Sequence, residues 1–328
     1  MGQVRPGADG LEARAAVEFE VEFVDQGRCD DPVLAARLLD TFARRAALMA
    51  GVADHRSAAK SIDFSGGGCH PAPMVDDLRQ RLNRPRFPRS AGYDPQWMVE
   101  NWMGPSALWL LEWLCSELDL APGARVLDLG CGRAITSIFL AKEFDVQVVA
   151  ADLWIKPTEN WRRIDAAGQA KLVTPLLAEA HDLPFAEGYF DAIVSVDAYH
   201  YFGTDALYLP YLSRFLAPGG HIGIAVPGLK TELDDGLPEH LEPYWEPDFW
   251  TFHSPAWWQQ LWSRSGVVED VRADFLEDGW RDWLIWCEAV LETTDNEAAR
   301  KHVPQEVKLL RADTGRYLGF TRVIAQRT

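Results

Sequence analysis

The sequence of 328 residues is short of paired cysteines and of long apolar runs, and each shortage excludes a class of protein. Its five cysteines are scattered without a Cys-x-x-Cys pair, which argues against a disulfide framework and against a metal site. No stretch of about 18 uncharged apolar residues occurs, so we expect no membrane-spanning helix and no membrane partner. The N-terminal residues lack the apolar core of a signal peptide, and we therefore predict a cytoplasmic protein.

Basic residues are also scarce. Lys and Arg total 32 against 49 Asp and Glu, which gives a net charge of −17. This charge repels phosphate backbones, so we expect a small-molecule substrate and no nucleic acid. The one basic cluster, residues 84–89, is rich in proline as well as arginine, and we interpret it as a solvated linker.

The chain divides near this linker. We assign residues 1–94 to an N-terminal extension of unknown role and residues 95–328 to a second, larger domain. In the extension, the alternating segment 17–23 predicts a strand, residues 32–49 predict a helix, and the glycines at 65–68 predict a loop. An exposed edge at 17–23 could join two subunits, so a homodimer is left open.

From residue 106 onward, strand-like and helix-like segments alternate. Strands that are apolar on both faces and separated by helices are typical of an α/β fold with a doubly wound, mostly parallel sheet. The predicted strands are 125–129, 146–151, 171–177, 190–196, 221–226, 267–275 and 319–325, and the predicted helices are 106–118, 134–143, 157–167, 204–216, 254–266 and 280–291.

A glycine turn after the first predicted strand is the strongest functional signal. In open α/β sheets ligands bind beyond the carboxyl ends of the strands, at such a turn. Ile135 stands where a dinucleotide site needs a third glycine or an alanine. Asp128, at the strand tip, would repel a diphosphate by about 4 kcal/mol per charge pair at 4 Å. It suits the cationic sulfonium and ammonium groups of S-adenosylmethionine.

Further acidic residues follow the next strands. Asp152 ends the second strand, where a carboxylate can accept hydrogen bonds from ribose hydroxyls. Leu153 and Trp154 would then flank the adenine, and Glu179 could accept a hydrogen bond from its amino group. Asp197 follows the fourth strand, beside the expected position of the methyl group.

The strings VLDLGCG, AEAHDLPF, FDAIVSVDAYHYF and LAPGG, in this order, resemble class I S-adenosylmethionine-dependent methyltransferases over roughly residues 95–328. The resemblance implies the strand order 3-2-1-4-5-7-6 with the last strand antiparallel, and S-adenosylhomocysteine as the product. It also implies that Asp128 contacts the methionine ammonium group, Asp152 the ribose and Glu179 the adenine, although the family more often has Asp at this last position. Ala134 stands where the family commonly has a third glycine. The whole set implied to bind the cofactor is Asp128, Gly130, Cys131, Gly132, Asp152, Leu153, Trp154, Glu179, Ala180 and Asp197.

The acceptor side of the site is less clearly marked. His200 is our candidate base, because an imidazole can titrate near neutral pH. Tyr199 and Tyr201 could orient the acceptor, and aromatic packing is the alternative for both. The sequence has fourteen tryptophans, which predict either an aromatic lid over the acceptor or a second packed helical layer. We expect the insertion at 228–258 to shape the acceptor pocket.

These residues leave three functions to compare. The first is methyl transfer from S-adenosylmethionine to a small-molecule acceptor by in-line displacement. The second is a cofactor-binding regulator or partner subunit without turnover. A nicotinamide oxidoreductase is the third, and Asp128 and Ile135 disfavour it.

Overall fold

A computed structural model describes residues 72–328 of the chain. The strand predicted at 17–23, the helix at 32–49, the loop at 65–68 and any dimer edge that they form lie outside the described residues. Among the helices that are described, none is long and apolar enough to cross a bilayer.

One sheet of seven strands organises the described part of the chain. The strand order is β3-β2-β1-β4-β5-β7-β6, and β7 runs antiparallel to both of its neighbours. The predicted fold class and strand order are therefore confirmed. The strands are β1 (Arg125–Leu129), β2 (Gln147–Asp152), β3 (Val173–Leu177), β4 (Phe190–Val196), β5 (Leu216–Leu229), β6 (Val268–Phe275) and β7 (Leu318–Arg327).

Helices cover both faces of this sheet. On one face, buried side chains of the helices Tyr208–Ser213 and Pro255–Arg264 pack on β4 and β5. On the other face, Gly223 of β5 lies against Leu114 and Leu118, where a Cβ atom would come within 3.0 Å of their methyl groups. The helices are α1 (Ala72–Leu82), α2 (Pro95–Glu100), α3 (Ala107–Cys115), α4 (Ile135–Phe144), α5 (Pro157–Ala166), α6 (Tyr208–Ser213), α7 (Pro255–Arg264), α8 (Gly279–Thr293) and α9 (Glu297–Asp313); short 3-10 turns lie at Ser90–Gly92, Tyr199–Tyr201, Glu242–Tyr244 and Pro247–Thr251.

Local signals account for the exact ends of several elements. Helix α7 begins at Pro255, and the side chain of Ser254 accepts a hydrogen bond from the Trp257 amide, as its N-cap position predicts. Strand β5 is longer than predicted, because Leu216 already pairs with Phe190 before a register shift. The helix predicted over 204–216 is accordingly confined to Tyr208–Ser213.

The longest described helix, α9, was missed by the sequence analysis. It contains Pro304, which removes one backbone donor and normally ends or kinks a helix. The helix persists because Val303, Val307 and Leu310 bury an apolar face, and packing of such a face contributes more than propensity does.

Residues 84–89 are not the solvated linker that their composition suggests. Phe87 is buried and its ring stacks on Trp109 at 5.9 Å. Arg84 and Arg86 both pair with the buried carboxylate of Asp282 on α8, and the Arg84–Asp282 distance is 2.8 Å. The arginines therefore attach this segment to the domain instead of forming a basic patch. The boundary that we placed at residue 94 stays a prediction.

We predict that Asp282→Asn lowers the free energy of unfolding by roughly 2 kcal/mol, because it leaves two guanidinium groups without their shared counter-charge. The loss is smaller than the 3–5 kcal/mol typical of fully buried pairs, since both arginines are partly exposed. Denaturant unfolding measures it. Asp295→Asn, at a fully solvated carboxylate, is the matched control and should change stability by less than about 0.5 kcal/mol. Equal effects of the two variants would contradict the anchoring role.

Candidate active site

Three carboxylates stand at the carboxyl ends of three adjacent strands. Asp128 lies on β1, Asp152 ends β2, and Asp197 directly follows β4. The register places Asp128 beside Ala150 and Val194, so the three strand ends meet at one edge of the sheet. The edge therefore carries concentrated negative charge, which favours a cationic ligand.

Asp128 is almost fully buried, with 1% of its surface exposed. One of its oxygens, Oδ2, accepts hydrogen bonds of 2.6 Å from the hydroxyl groups of Thr136 and Ser137 in the first turn of α4. The other, Oδ1, is buried without a hydrogen-bond partner among the described residues. Burial raises the pKa of Asp128 to about 6, although the two hydroxyl groups lower it. A donor or a cation at Oδ1 would relieve this cost.

Asp152 holds the glycine turn in place. Its Oδ2 accepts a 2.8 Å hydrogen bond from the amide of Gly132, and its Oδ1 accepts from the amides of Trp154 and Ile155. Burial raises the pKa of Asp152, and these backbone donors lower it. A carboxylate can accept about four hydrogen bonds, so three are used and room for a further donor remains.

The glycine turn depends on backbone conformations that side chains disfavour. Gly130 has φ = 75°, and a Cβ atom there would lie 2.4 Å from the Cβ of Ala198. Ala134 has φ = 58°, in the left-handed region where glycine is favoured. This conformation explains in physical terms why a third glycine is common at that position.

A segment from before β1 covers the turn. The carbonyl of Glu100 accepts a 2.7 Å hydrogen bond from Arg133, and the carbonyl of Gly104 accepts one of 2.8 Å from Trp286 on α8. A Cβ atom on Gly132 would lie 2.8 Å from the sulfur of Met103. Residues 100–104 therefore lie directly against the proposed cofactor turn.

The other residues implied to bind the cofactor surround this turn. Cys131 is buried, and burial raises the pKa of its thiol well above the usual value, which fits a packed residue and not a nucleophile. Leu153 is exposed and Trp154 is half-buried. Glu179 turns its carboxylate to His181, accepting hydrogen bonds from the backbone amide and lying 2.8 Å from the ring nitrogen. Ala180 is half-buried, and its carbonyl accepts a hydrogen bond from the Tyr208 hydroxyl.

The three residues predicted on the acceptor side differ in access. Tyr199 is fully buried, and its ring packs in an aromatic cluster that includes Trp258 and Trp262. His200 is also fully buried, between the rings of Tyr201 and Phe252. Tyr201 is the half-buried member of the three.

The tryptophans divide between the two roles that we considered. Trp258, Trp262 and Trp286 are among the largest fully buried side chains, so they pack the core. In the insertion, Trp245 is half-buried and Trp250 is 57% exposed, with their rings 5.5 Å apart. Core packing therefore accounts for the three buried tryptophans, whereas the two in the insertion form a partly exposed aromatic surface.

The sequence analysis did not predict the residues that hold Asp128 and the glycine turn in place. Thr136 and Ser137 orient Asp128, and the side chain of Asn160 donates a 2.9 Å hydrogen bond to the carbonyl of Gly132. Hydroxyl residues in the helical turn directly after the glycines were the available signal for the first pair. The contact of Asn160, 28 residues away in sequence, gave no local signal.

Comparison with known proteins finds methyltransferases. Residues 126–220 match a family model described as a methyltransferase domain. Methyltransferase GfsG of Streptomyces halstedii is 28% identical over 51% of this chain and 59% of its own length. Tocopherol O-methyltransferase of Arabidopsis thaliana is 33% identical over 40% of this chain and 39% of its own length. The chain thus spans less than two thirds of either relative.

A solved structure shows the same fold. Phosphoethanolamine N-methyltransferase 2 of Haemonchus contortus, in complex with S-adenosylmethionine, superposes with a TM-score of 0.60 at 18% identity, covering 76% of this chain and 60% of that one. The chain thus shares its fold with an S-adenosylmethionine-dependent methyltransferase, and residues 126–220 match a methyltransferase domain. Within the matched segment, Oδ1 of Asp128 is buried and has no hydrogen-bond partner among residues 72–328, which fits a cationic ligand group.

The raised pKa of Asp128 predicts a pH-dependent stability. Because the folded-state pKa lies above the usual 3.8, the carboxyl group stabilises the fold when protonated, below about pH 4, and this contribution is lost as pH rises through 6. We expect wild-type stability to fall by roughly 1.5 kcal/mol between pH 5 and pH 8 relative to Asp128→Asn.

Denaturant unfolding of the ligand-free wild type and of Asp128→Asn at both pH values measures this difference. Parallel pH profiles of the two proteins would show that Asp128 titrates normally and would contradict the assignment.

Proposed function

We propose that the chain transfers the methyl group of S-adenosylmethionine to a small-molecule acceptor, with S-adenosylhomocysteine as the product. The observation that carries the proposal is Asp128, a buried carboxylate whose Oδ1 has no partner among residues 72–328. A negative charge in this position suits an ammonium group and opposes a diphosphate. The net charge of −17 likewise supports a small molecule over a nucleic acid.

We assign cofactor roles to the residues around the glycine turn. Asp128 would contact the methionine ammonium group, and Asp152 would accept a ribose hydroxyl with the lone pair that its backbone partners leave free. Glu179 would accept a hydrogen bond from the adenine amino group, either in addition to its contact with the His181 ring or in place of it. The main chain of Gly130, Cys131 and Gly132, together with Leu153, Trp154, Ala180 and Asp197, would complete the cofactor's surroundings.

The acceptor would lie between the loop after β4 and the insertion after β5. Tyr201 is the accessible member of the three predicted residues there, whereas Tyr199 and His200 are fully buried and would act through packing. Trp245 and Trp250 offer an aromatic surface to an apolar or cationic acceptor. Holding the acceptor in line with the methyl group supplies much of the rate enhancement.

The transfer balances without a further reagent. A lone pair of the acceptor forms the new bond to the methyl carbon, while the carbon–sulfur bond breaks and its electron pair stays on sulfur. A hydroxyl or carbon acceptor must also lose a proton.

A cytoplasmic location and a homodimer stay predictions.

The direct test is label transfer from S-adenosylmethionine carrying a radioactive methyl group. The purified chain is incubated with a panel of phenols, alcohols, carbon acids and amines, and products are separated from the cofactor. We expect label in at least one acceptor, with S-adenosylhomocysteine formed in equal amount. Tight cofactor binding with no label transferred would favour the alternative, a regulator or partner subunit without turnover. Binding of NADH and not of S-adenosylhomocysteine would overturn both.

We predict that Asp152→Ala weakens binding of S-adenosylhomocysteine by about 1–3 kcal/mol, the usual cost of losing hydrogen bonds to a charged group. The variant also removes the acceptor for the Gly132 amide, so the glycine turn loses its support. Isothermal titration calorimetry measures the affinity. Asp165→Asn, at an exposed carboxylate on α5, is the control and should bind like wild type. An unchanged affinity for Asp152→Ala would remove the ribose assignment.

A further inference from the structure

A carboxylate and an imidazole pair at the end of β5, outside the set of residues marked by the sequence. Glu232 lies three residues beyond the last residue of this strand, and its Oε2 is 3.0 Å from Nδ1 of His253. The second oxygen, Oε1, accepts a 2.6 Å hydrogen bond from the amide of Ser254. Both oxygens of the carboxylate are thus engaged, and its orientation toward the ring is fixed.

We propose that Glu232 and His253 form a proton-accepting dyad, and that the acceptor is therefore a hydroxyl compound or a carbon acid. The inference rests on the proposed methyl transfer and names its acceptor class. A neutral amine can attack a methyl group without first losing a proton, whereas a hydroxyl or carbon acid needs a base. We infer the chemical class of the acceptor from the presence of such a base on the proposed acceptor side of the site.

The position of the dyad supports this role. The carbonyl of His253 accepts hydrogen bonds from the Leu229 amide, at 3.3 Å, and from the Thr321 hydroxyl, at 3.2 Å. These bonds fix His253 at the carboxyl end of β5, which is the neighbour of β4 in the sheet. The adjacent Phe252 contacts the ring of His200, 5.6 Å away, in the loop after β4. The dyad thus stands at the same sheet edge as Asp128 and the glycine turn.

The ring of His253 is held in a defined tautomer and orientation. It stacks on Trp257 with centroids 3.6 Å apart and planes 7° apart. When Nδ1 donates to Glu232, the lone pair is on Nε2, which has no hydrogen-bond partner among residues 72–328. The imidazole is 19% exposed, so Nε2 belongs to a ring that solutes can reach.

The electrostatics fit proton acceptance. Burial lowers the pKa of His253, and Glu232 opposes this effect, so the ring is neutral near pH 7 and can take a proton. Burial would raise the pKa of Glu232, but the Ser254 amide and His253 lower it overall, so this carboxylate is ionised. The negative charge can then stabilise the imidazolium ion formed on proton transfer.

In the step itself, Nε2 takes the proton from the acceptor O–H or C–H as the freed electron pair forms the bond to the methyl carbon. The carbon–sulfur bond breaks with its electron pair staying on sulfur, and His253 later returns its proton to water.

The fold does not require the imidazole for helix capping, because the side chain of Ser254 already caps α7.

The first experimental arm needs no acceptor. Diethyl pyrocarbonate acylates accessible neutral imidazoles, and peptide mass mapping locates the modified residues. We expect His253 to react more slowly than His181, which is 54% exposed, but far faster than the fully buried His200. A His253 as inert as His200 would show that Nε2 cannot reach an acceptor and would overturn the proposal.

The second arm measures turnover with the acceptor found by label transfer. We expect His253→Ala to lower kcat by about 100-fold, the lower range for a general base, with unchanged affinity for S-adenosylhomocysteine. Added imidazole should restore part of the rate, which a purely structural defect would not allow. Glu232→Gln should lower kcat by about tenfold, and His221→Ala, on the opposite half of β5, should match wild type.

The outcomes separate the two proposals. Wild-type kcat in His253→Ala, or methylation of amines alone with no effect of either variant, would overturn the dyad and leave methyl transfer standing. A wild-type chain that binds S-adenosylhomocysteine but methylates no acceptor would overturn the proposed function, and the dyad's role with it.

Discussion

The buried charge of Asp128 is the constraint on which the rest of the site depends. Taking a carboxylate out of water costs several kcal/mol unless donors replace the water. Thr136 and Ser137 supply donors to one oxygen only, and Oδ1 is left without one in the described chain. A fold that keeps such a group against its own stability gains from it only when a ligand supplies the missing donor, and a cation does so best.

The glycine turn follows from the same arrangement. To bring a ligand to Asp128, the chain after β1 must turn sharply, and it does so with left-handed backbone at Gly130, Gly132 and Ala134. Asp152 stabilises this turn by accepting the Gly132 amide, and Asn160 holds the Gly132 carbonyl. The carboxylate that we assign to the ribose therefore also shapes the turn, so cofactor binding and turn geometry are coupled through one side chain.

How much the sequence could predict depends on how local each signal is. The sheet was predictable because parallel strands such as Arg125–Leu129 and Phe190–Val196 are apolar on both faces and alternate with helices. Helix α9 was not, because Pro304 is a local breaking signal that long-range packing overrides. The attachment of Arg84 and Arg86 to Asp282 joins residues about 200 positions apart, and composition alone suggested a linker.

The same distinction separates the two halves of the site. The proposed cofactor half is built from strand ends and the turns that directly follow them, so chain order and charge were enough to mark Asp128 and Asp152 as candidates. The proposed acceptor half is built from contacts between distant segments, such as Glu232 with His253. A histidine next to a motif, His200, is conspicuous in sequence yet buried in the structure, whereas His253 acquires a carboxylate partner only through folding. A histidine can act as a base only when a partner orients its ring and a substrate can reach it. Both conditions depend on tertiary contacts, so the sequence alone could not single out His253.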